Sequence, residues 1–423
     1  MNNTAAYSRI HRGVSWNILS FAVISVVGIS VNLLIARFYP PWAFGVFNAV
    51  MAVFVIAGQI GAMGIPNSMV YHVPMALSQG KPILPIFAAG LSISAVGAAL
   101  VIGLLHFGQL IAINSKLDPR YVSGLSYAMV GIWFFSINKV MLGFLNGAHR
   151  IIAFAIGNAA RYLLILASIL YCIRLEYPGE SLPLCFTVSE IILTLGLSVV
   201  CIHEASGPLF PDIRSWLRRH LHFGIRALPS SVIQDLNSRI DILILGLMKT
   251  ADVVGIYSMA SIFALGWMQL IMTLRFSVDP VLAPLIASKR MDELRALVRR
   301  VKWSTYAAVI IAMSVSIFIY PFILDIILHK PDFGSSWVVY CLLAIGITFA
   351  AGYIPLGGML QQAGYPEAQS LLLGIVLVIN IVGNLLLVPK FGAIGAACGT
   401  AFSQIAFVFL LRSLVKSKLG QWI

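Results

Sequence analysis

The sequence predicts an all-α integral membrane protein of about 12 transmembrane helices, arranged as two six-helix halves. Three observations carry this. Of 423 residues, 60% are hydrophobic and only 10% are charged, with a mean hydropathy of +0.94. A water-soluble domain carries about a quarter charged residues, so this chain lacks the charge to cover a hydrated surface. Apolar runs of about 20 residues, each able to cross a hydrocarbon core, recur along the whole length. Finally, the second half of the chain echoes the first.

The predicted spans are 14–36, 45–65, 83–105, 122–145, 151–173, 183–202, 224–247, 253–274, 304–328, 336–356, 368–388 and 394–415. Backbone groups in lipid find partners only in helices or closed barrels, and runs this long specify helices. The run Val14–Ala36 exceeds a signal-peptide core and has no small-residue cleavage site, so it is expected to stay as a span. Pro66, Pro74, Pro229, Pro280, Pro284 and Pro355 lie in or beside spans and are expected to break helices. The expected organisation is an N-terminal six-helix lobe, 1–202, a linker, 203–223, and a C-terminal six-helix lobe, 224–423.

Orientation follows from the basic residues. With a cytoplasmic N-terminus, seventeen Lys and Arg fall in inside segments and seven in outside segments. That bias places both termini in the cytoplasm. It also accounts for the net charge of +13 without nucleic acid, for which no binding-module signature exists. In the long inside connection Arg275–Trp303, Leu294, Leu297, Val298 and Val301 share one helical face and Arg295, Arg299 and Lys302 the other. An amphipathic helix at the membrane surface, in contact with lipids, is expected there.

The repeat is local but consistent. LIARFYPPWAFGVFNAV at 34–50 aligns with ILGLMKTADVVGIYSMA at 244–260, an offset of 210. Leu145-Asn146-Gly147 and Gln362-Ala363-Gly364 align at 217, and Ser189-Glu190-Ile191 and Ser403-Gln404-Ile405 at 214. Two six-helix halves of equal topology are typical of transporters, whose substrate lies between them.

Ionisable residues inside spans are costly and therefore point to function. In span seven, Arg226, Ser230, Gln234, Asn237 and Asp241 follow spacings that line one helical face, with Asp235 and Arg239 as an i,i+4 pair beside it. Such a face lines water or a polar cavity, or else the Asp235–Arg239 bridge locks the lobe. Arg161 lies about 15 Å into span five and shares a face with Asn158, Tyr162 and Ser168. Glu190 is the acid within the first-half spans; pairing with Arg161 as a structural bridge and carrying a proton are both open to it. Lys139, near the inner end of span four, either snorkels or faces a cavity. Asn17, Asn32, Gln59, Asn380, Asn384 and Gln404 are weaker candidates, with interhelical hydrogen bonding as the default.

Several chemistries find no support. There is no GxxxxGK[ST], HExxH, CxxC or GxSxG motif, so no nucleotide, metal or other cofactor is expected. The five cysteines sit in or at the ends of apolar runs and read as packing residues.

Three blocks carry a family resemblance: SWNILSFAVISVVGISVNLLIARFYPPWAFGVFNAVMAVFVIAGQIGAMGIPNSMVYHV near the N-terminus, HFGIRALPSSVIQDLNSRIDILILGLMKTADVVGIYSMASIF at mid-chain, and FGAIGAACGTAFSQIAFVFLLRSL at the close. In order and spacing they resemble bacterial O-antigen and exopolysaccharide flippases of the multidrug/oligosaccharidyl-lipid/polysaccharide exporter superfamily. The resemblance covers nearly the whole chain. It implies two lobes around a central cavity that opens alternately to each side of the inner membrane. It implies an undecaprenyl-diphosphate-linked oligosaccharide as substrate, with a polysaccharide polymerase and chain-length machinery as partners. A diphosphate head group needs fixed positive charge, so Arg161, Arg226, Arg239 and Lys139 become expected substrate contacts. Glu190, Asp235, Asp241, Gln234, Asn237 and Asn158 become cavity or coupling residues. A drug or cation antiporter of the same superfamily is the alternative, although the excess of cations within the spans suits an anion. A membrane polymerase or ligase would need a large external catalytic surface, which the short outside loops do not offer.

Overall fold

A computed structural model describes residues 3–112, 117–205, 207–208, 213–288 and 290–420. Fifteen α-helices run in order: α1 Asn3–Phe38, α2 Pro41–Gly61, α3 Ile65–Ser78, α4 Leu84–Ala112, α5 Pro119–Gly147, α6 Ile151–Arg174, α7 Leu184–Glu204, α8 Ile213–Asn237, α9 Ile240–Met248, α10 Ala251–Ala287, α11 Met291–Phe322, α12 Ser336–Ala350, α13 Met359–Gln362, α14 Pro366–Phe391 and α15 Ala393–Leu419. The chain divides into two compact units, one of Met1–Tyr39 and Val46–Arg239, the other of Pro40–Gly45 and Ile240–Ile423.

Ten helices among the described residues are long and apolar enough to cross a membrane. An eleventh span is a bent pair, Ser336–Ala350 with Ile354–Gln362, angled by 53°. These match eleven of the twelve predicted spans. The remaining one, 224–247, is not a single helix. It breaks at Ser238–Arg239 into the end of α8 and the short α9, and the units divide at the same place. The polar face read from Arg226 to Asp241 is therefore discontinuous: its first four members belong to the first unit and Asp241 to the second.

In the first unit, α5 is the central helix, with α3, α4, α6 and α7 packed around it. Its buried face includes Ile137, Val140, Met141, Phe144 and Leu145, which meet Met69 and Val73 of α3, Phe87 of α4 and Leu193 and Leu197 of α7. The helix started by α2 ends at Gly61, and α3 restarts after Met63 and Gly64, both with positive φ (53° and 67°), with Pro66 in its first turn. Gly64 is required twice over. Its backbone is left-handed, and a Cβ there would overlap the Gly224 carbonyl of α8. The Ser68 hydroxyl and the Ile86 carbonyl both meet the ring of His220, which is fully buried on α8. α8 is thereby seated against α3 and α4.

The second unit is built on small-residue contacts between α12, α14 and α15. A Cβ on Gly346 would lie 2.7 Å from the Ala401 Cα, and one on Gly383 3.1 Å from the Gly399 Cα. Such contacts let helices approach closely where lipid supplies no hydrophobic drive. Tyr320 and Tyr340 stack at 4.6 Å with Phe263 edge-on to both, and their hydroxyls bond Ser336 and Ser316. Within this unit the two repeat glycines meet: a Cβ on Gly45 would overlap the Ala251 carbonyl, and one on Gly255 the Pro41 carbonyl. Large apolar side chains such as Leu104, Val199, Phe318 and Leu386 are exposed, a surface suited to lipid.

Three local expectations are corrected. Pro280 and Pro284 lie within α10, which continues unbroken to Ala287. Pro74 and Pro229 are likewise accommodated inside α3 and α8. The amphipathic segment after Arg290 is not a separate surface helix. It forms the first turns of α11, because no glycine or proline interrupts the sequence until Pro321, and Leu294 and Val298 are buried within the protein. The five cysteines are free thiols.

Candidate functional site

A polar cluster crosses the first unit at the level of α5. A single turn of α5 presents Phe135, Asn138 and Lys139 toward α2, α6, α7 and α8. Arg161 of α6 donates to Glu190 of α7 through Nε at 2.5 Å and through Nη2 at 3.3 Å. The Asn138 amide donates to the second carboxylate oxygen of Glu190 at 2.7 Å and to its main-chain carbonyl at 2.9 Å. Thr194 in turn donates to Asn138 Oδ1. Glu190 is 1% exposed and Arg161 only 12%. The structure thus forms the Arg161–Glu190 bridge that the sequence left open against a free cation.

Lys139 does not snorkel to water. Its ammonium donates to Gln59 of α2 and lies 3.9 Å from the Asp235 carboxylate of α8. The Phe135 ring sits between the two cations, 5.2 Å from Lys139 Nζ and 4.7 Å from the Arg161 guanidinium carbon. A ring face between cations relieves part of their repulsion. Gly58 of α2 leaves the room that this ring fills, since a Cβ there would overlap it. Asp235 pairs with Lys139 rather than with Arg239 as the i,i+4 spacing predicted; the helix ends at Asn237, so no continuous helix joins the two residues, and Arg239 stays within electrostatic reach of Asp235. Arg239 Nε is buried without a hydrogen-bond partner. Lys139, Arg161 and Arg239 thus stand against Glu190 and Asp235 in one neighbourhood, with one positive charge in excess.

The other predicted residues fall elsewhere. Arg226 and Gln234 are exposed on α8 and Asn237 is half-buried at its end. Asn158 bonds the Phe154 carbonyl of its own helix, as Asn32 bonds Gly28. Gln404 approaches Met268. The side chain of Asn17 lies outside the described residues.

Asp241 forms a second centre in the other unit. Its carboxylate accepts from Tyr257 at 2.8 Å, Thr400 at 2.9 Å and Asn384 at 2.7 Å. Asn384 also bonds Asn380, and its own Oδ1 is buried without a partner. Two hydroxyls and an amide N–H all donate to this one buried carboxylate, an arrangement that holds an acid able to exchange a proton inside the protein. Among the described residues no three His, Cys, Asp or Glu side chains gather as a transition-metal site. Asn380 and Asn384, individually weak candidates in the sequence, act together here; their i,i+4 spacing is the signal the sequence carries for it. Tyr257 was read only as the aromatic of the GIY repeat, and Thr400, set in an apolar run, carried none.

Comparison with known proteins agrees with this architecture. The family described as polysaccharide biosynthesis protein matches residues 10–283, and the MatE family matches residues 228–386. An uncharacterized membrane protein of Methanocaldococcus jannaschii is 22% identical over 96% of this chain and 84% of its own length. Among solved structures, the lipid II flippase MurJ in an inward closed conformation superposes with a TM-score of 0.73 at 16% identity, covering 94% of this chain and 87% of that one. An inward-facing multidrug resistance MATE family transporter gives 0.71 at 12% identity, over 96% and 98%. A MOP superfamily transporter of Pyrococcus furiosus, described as having a binding pocket of reverse polarity, gives 0.58 at 12%, over 96% of both chains. The profile match spans more than half of the chain and the fold is that of the MOP-superfamily membrane transporters and flippases; the chain belongs to the polysaccharide biosynthesis protein family.

Proposed function

We propose that this protein is a flippase that moves undecaprenyl-diphosphate-linked oligosaccharide repeat units from the cytoplasmic to the outer face of a bacterial inner membrane, by alternating access, with both termini in the cytoplasm. The observation that carries the reading is the net-positive cluster of Lys139, Arg161 and Arg239 held at span depth around Phe135. Fixed cations in a low-dielectric setting favour an anionic head group over a cationic drug. The lipid-linked substrate named for the MurJ neighbour adds weight to a lipid carrier. Polymerase and chain-length proteins are the expected consumers of the product.

In this reading Lys139 and Arg239 attract the diphosphate, and Arg161 exchanges Glu190 for it. Asp241 with Asn380, Asn384, Tyr257 and Thr400 is the coupling centre, loading a proton. The test is the sidedness of lipid-linked oligosaccharide in a deletion strain, complemented by wild type or by Lys139→Ala. Accumulation on the cytoplasmic leaflet, cleared by wild type and not by Lys139→Ala, is expected. Normal outer-leaflet delivery without the protein, in a strain lacking any other flippase, would sink the proposal. A drug or cation antiporter is the second reading, favoured by the MatE match and the buried Asp241. Altered drug susceptibility with intact glycan would select it.

A further inference from the structure

At one end of the first unit a cleft of about 290 Å³ opens between the end of α3, the turn into α4 and the first turns of α8. It is separate from the polar cluster around Phe135. His72, Gln79, Lys81, Trp216 and Arg219 line it, with Met75 as an apolar wall. No carboxylate lines it, and among the described residues neither Lys81 nor Arg219 enters an ion pair. This contrasts with the cations at span depth, all three of which have acidic neighbours.

The cleft is held in shape rather than left to loose surface chains. The Ile86 carbonyl can only accept, so His220 Nε2 carries the proton and Nδ1 accepts from the Ser68 hydroxyl. Both ring nitrogens of this fully buried residue are thereby used to clamp α8 onto α3 and α4. One turn earlier on the same helix, the Trp216 ring packs against His72 and His220, and the Arg219 guanidinium lies 4.8 Å above it. Arg219 is thus pre-oriented against Trp216 in the lining that it shares with Lys81. The backbone of Gly207 closes against Pro82, where a side chain would overlap.

We propose that this cleft is a binding site for a phosphate-bearing anionic group, supplied by the head group of an anionic membrane phospholipid. Two cations without an ion pair among the described residues, and an imidazole, around one opening select a phosphate, and Arg219 offers a planar fork of donors to its oxygens. The lipid source is favoured by position. The segments forming the cleft flank predicted spans on the cytoplasmic side, and Tyr71, Met75 and Leu77 beside it are large exposed apolar residues able to meet acyl chains. Basic pockets between helices at this level suit anionic head groups. The site requires no particular transported substrate.

The test uses the purified full-length protein in detergent, titrated with short-chain phosphatidylglycerol or phosphatidylcholine and read by native mass spectrometry. Phosphatidylglycerol is expected to bind more tightly than phosphatidylcholine. The double variant Lys81→Gln/Arg219→Gln should weaken it about 30-fold, each cation near an anionic lipid surface contributing a factor of about five. The control Arg299→Gln/Arg300→Gln removes equal charge elsewhere. An equal loss in both double variants would mean diffuse attraction and overturn the site. Inorganic phosphate or diphosphate displacing phosphatidylglycerol at submillimolar concentration would overturn the lipid assignment in favour of a soluble ligand. An unchanged melting temperature in the Lys81→Gln/Arg219→Gln protein is the check that binding, not folding, was lost.

Discussion

Removing one partner of the Arg161–Glu190 bridge should cost at least as much as removing both. Glu190 is 1% exposed, so Arg161→Met leaves a carboxylate inside the protein with the Asn138 amide as its hydrogen-bond donor and Lys139 as a nearby cation that does not bridge it. Two unit charges about 4 Å apart in an effective dielectric of about 20 attract by about 4 kcal/mol. Stranding a buried charge costs about 3–5 kcal/mol by experience with such pairs. Arg161→Met and Glu190→Met are therefore each expected to destabilise by about 3–5 kcal/mol. The double variant should fall well short of the sum, near the loss of either alone or less, because two apolar side chains of similar length replace two ions. Denaturant unfolding of the purified protein in micelles supplies all corners of the cycle. Additive losses of under about 1 kcal/mol each would refute the reasoning, since they would mean that water reaches the pair. The same double variant separates two roles. If it folds and still restores glycan export, Arg161 only braces α6 on α7; if it folds and fails, Arg161 also serves the transported head group.

Other outcomes are expected from the same structure. Gly255→Ala places a methyl on the Pro41 carbonyl, and Gly45→Ala one on the Ala251 carbonyl; backbone cannot yield as a side chain can, so each should cost about 3 kcal/mol or more, seen as lost expression and a lowered melting temperature. Asp241→Asn keeps the shape of the Tyr257, Thr400 and Asn384 network and should leave the melting temperature nearly unchanged while reducing transport at least about tenfold, measured by glycan export; unimpaired export would remove Asp241 from the coupling role. Burial pushes the His220 imidazole, in the segment ahead of predicted span seven, down to about 4. Between about pH 4 and the ordinary value near 6.5 the unfolded chain binds the extra proton, so stability rises with pH across that window and is lost on acidification, by about 3 kcal/mol in total. His220→Gln should flatten that part of the stability–pH curve.

Hydropathy was enough to find the spans because lipid leaves the backbone so few choices. It was not enough to find the break at Ser238–Arg239. No glycine or proline marks those two residues, and the polar spacing from Arg226 to Asp241 runs through them as if the helix continued. The opposite error occurred at Pro280 and Pro284, where the usual breaker residues lie within an intact helix. The pairing of Arg161 with Glu190 was legible as one of two options, since two lone ions in neighbouring spans have few other partners. The engagement of Lys139 by Asp235 was hidden, because it depends on where α8 lies against α5, which no local spacing encodes. Phe135 was hidden for a different reason: an aromatic residue in an apolar span carries no sign that two cations will flank it.

The break after α8 is also a crossing between the two units. The backbone passes between the two units at Tyr39–Pro40, Gly45–Val46 and Arg239–Ile240. The second crossing is inside α2, whose hydrogen bonds fix its dihedral angles, and at the first the proline ring locks one angle more. Ser238 and Arg239 lie in neither helix, and the Arg239 N–H bonds the Leu236 carbonyl in a turn. His220 and Asp235 hold α8 in the first unit up to its last turn. The two-residue turn between α8 and α9 thus itself carries Arg239 of the cationic cluster, two positions ahead of Asp241 of the second centre, so any change in that turn's backbone is felt within two residues by both.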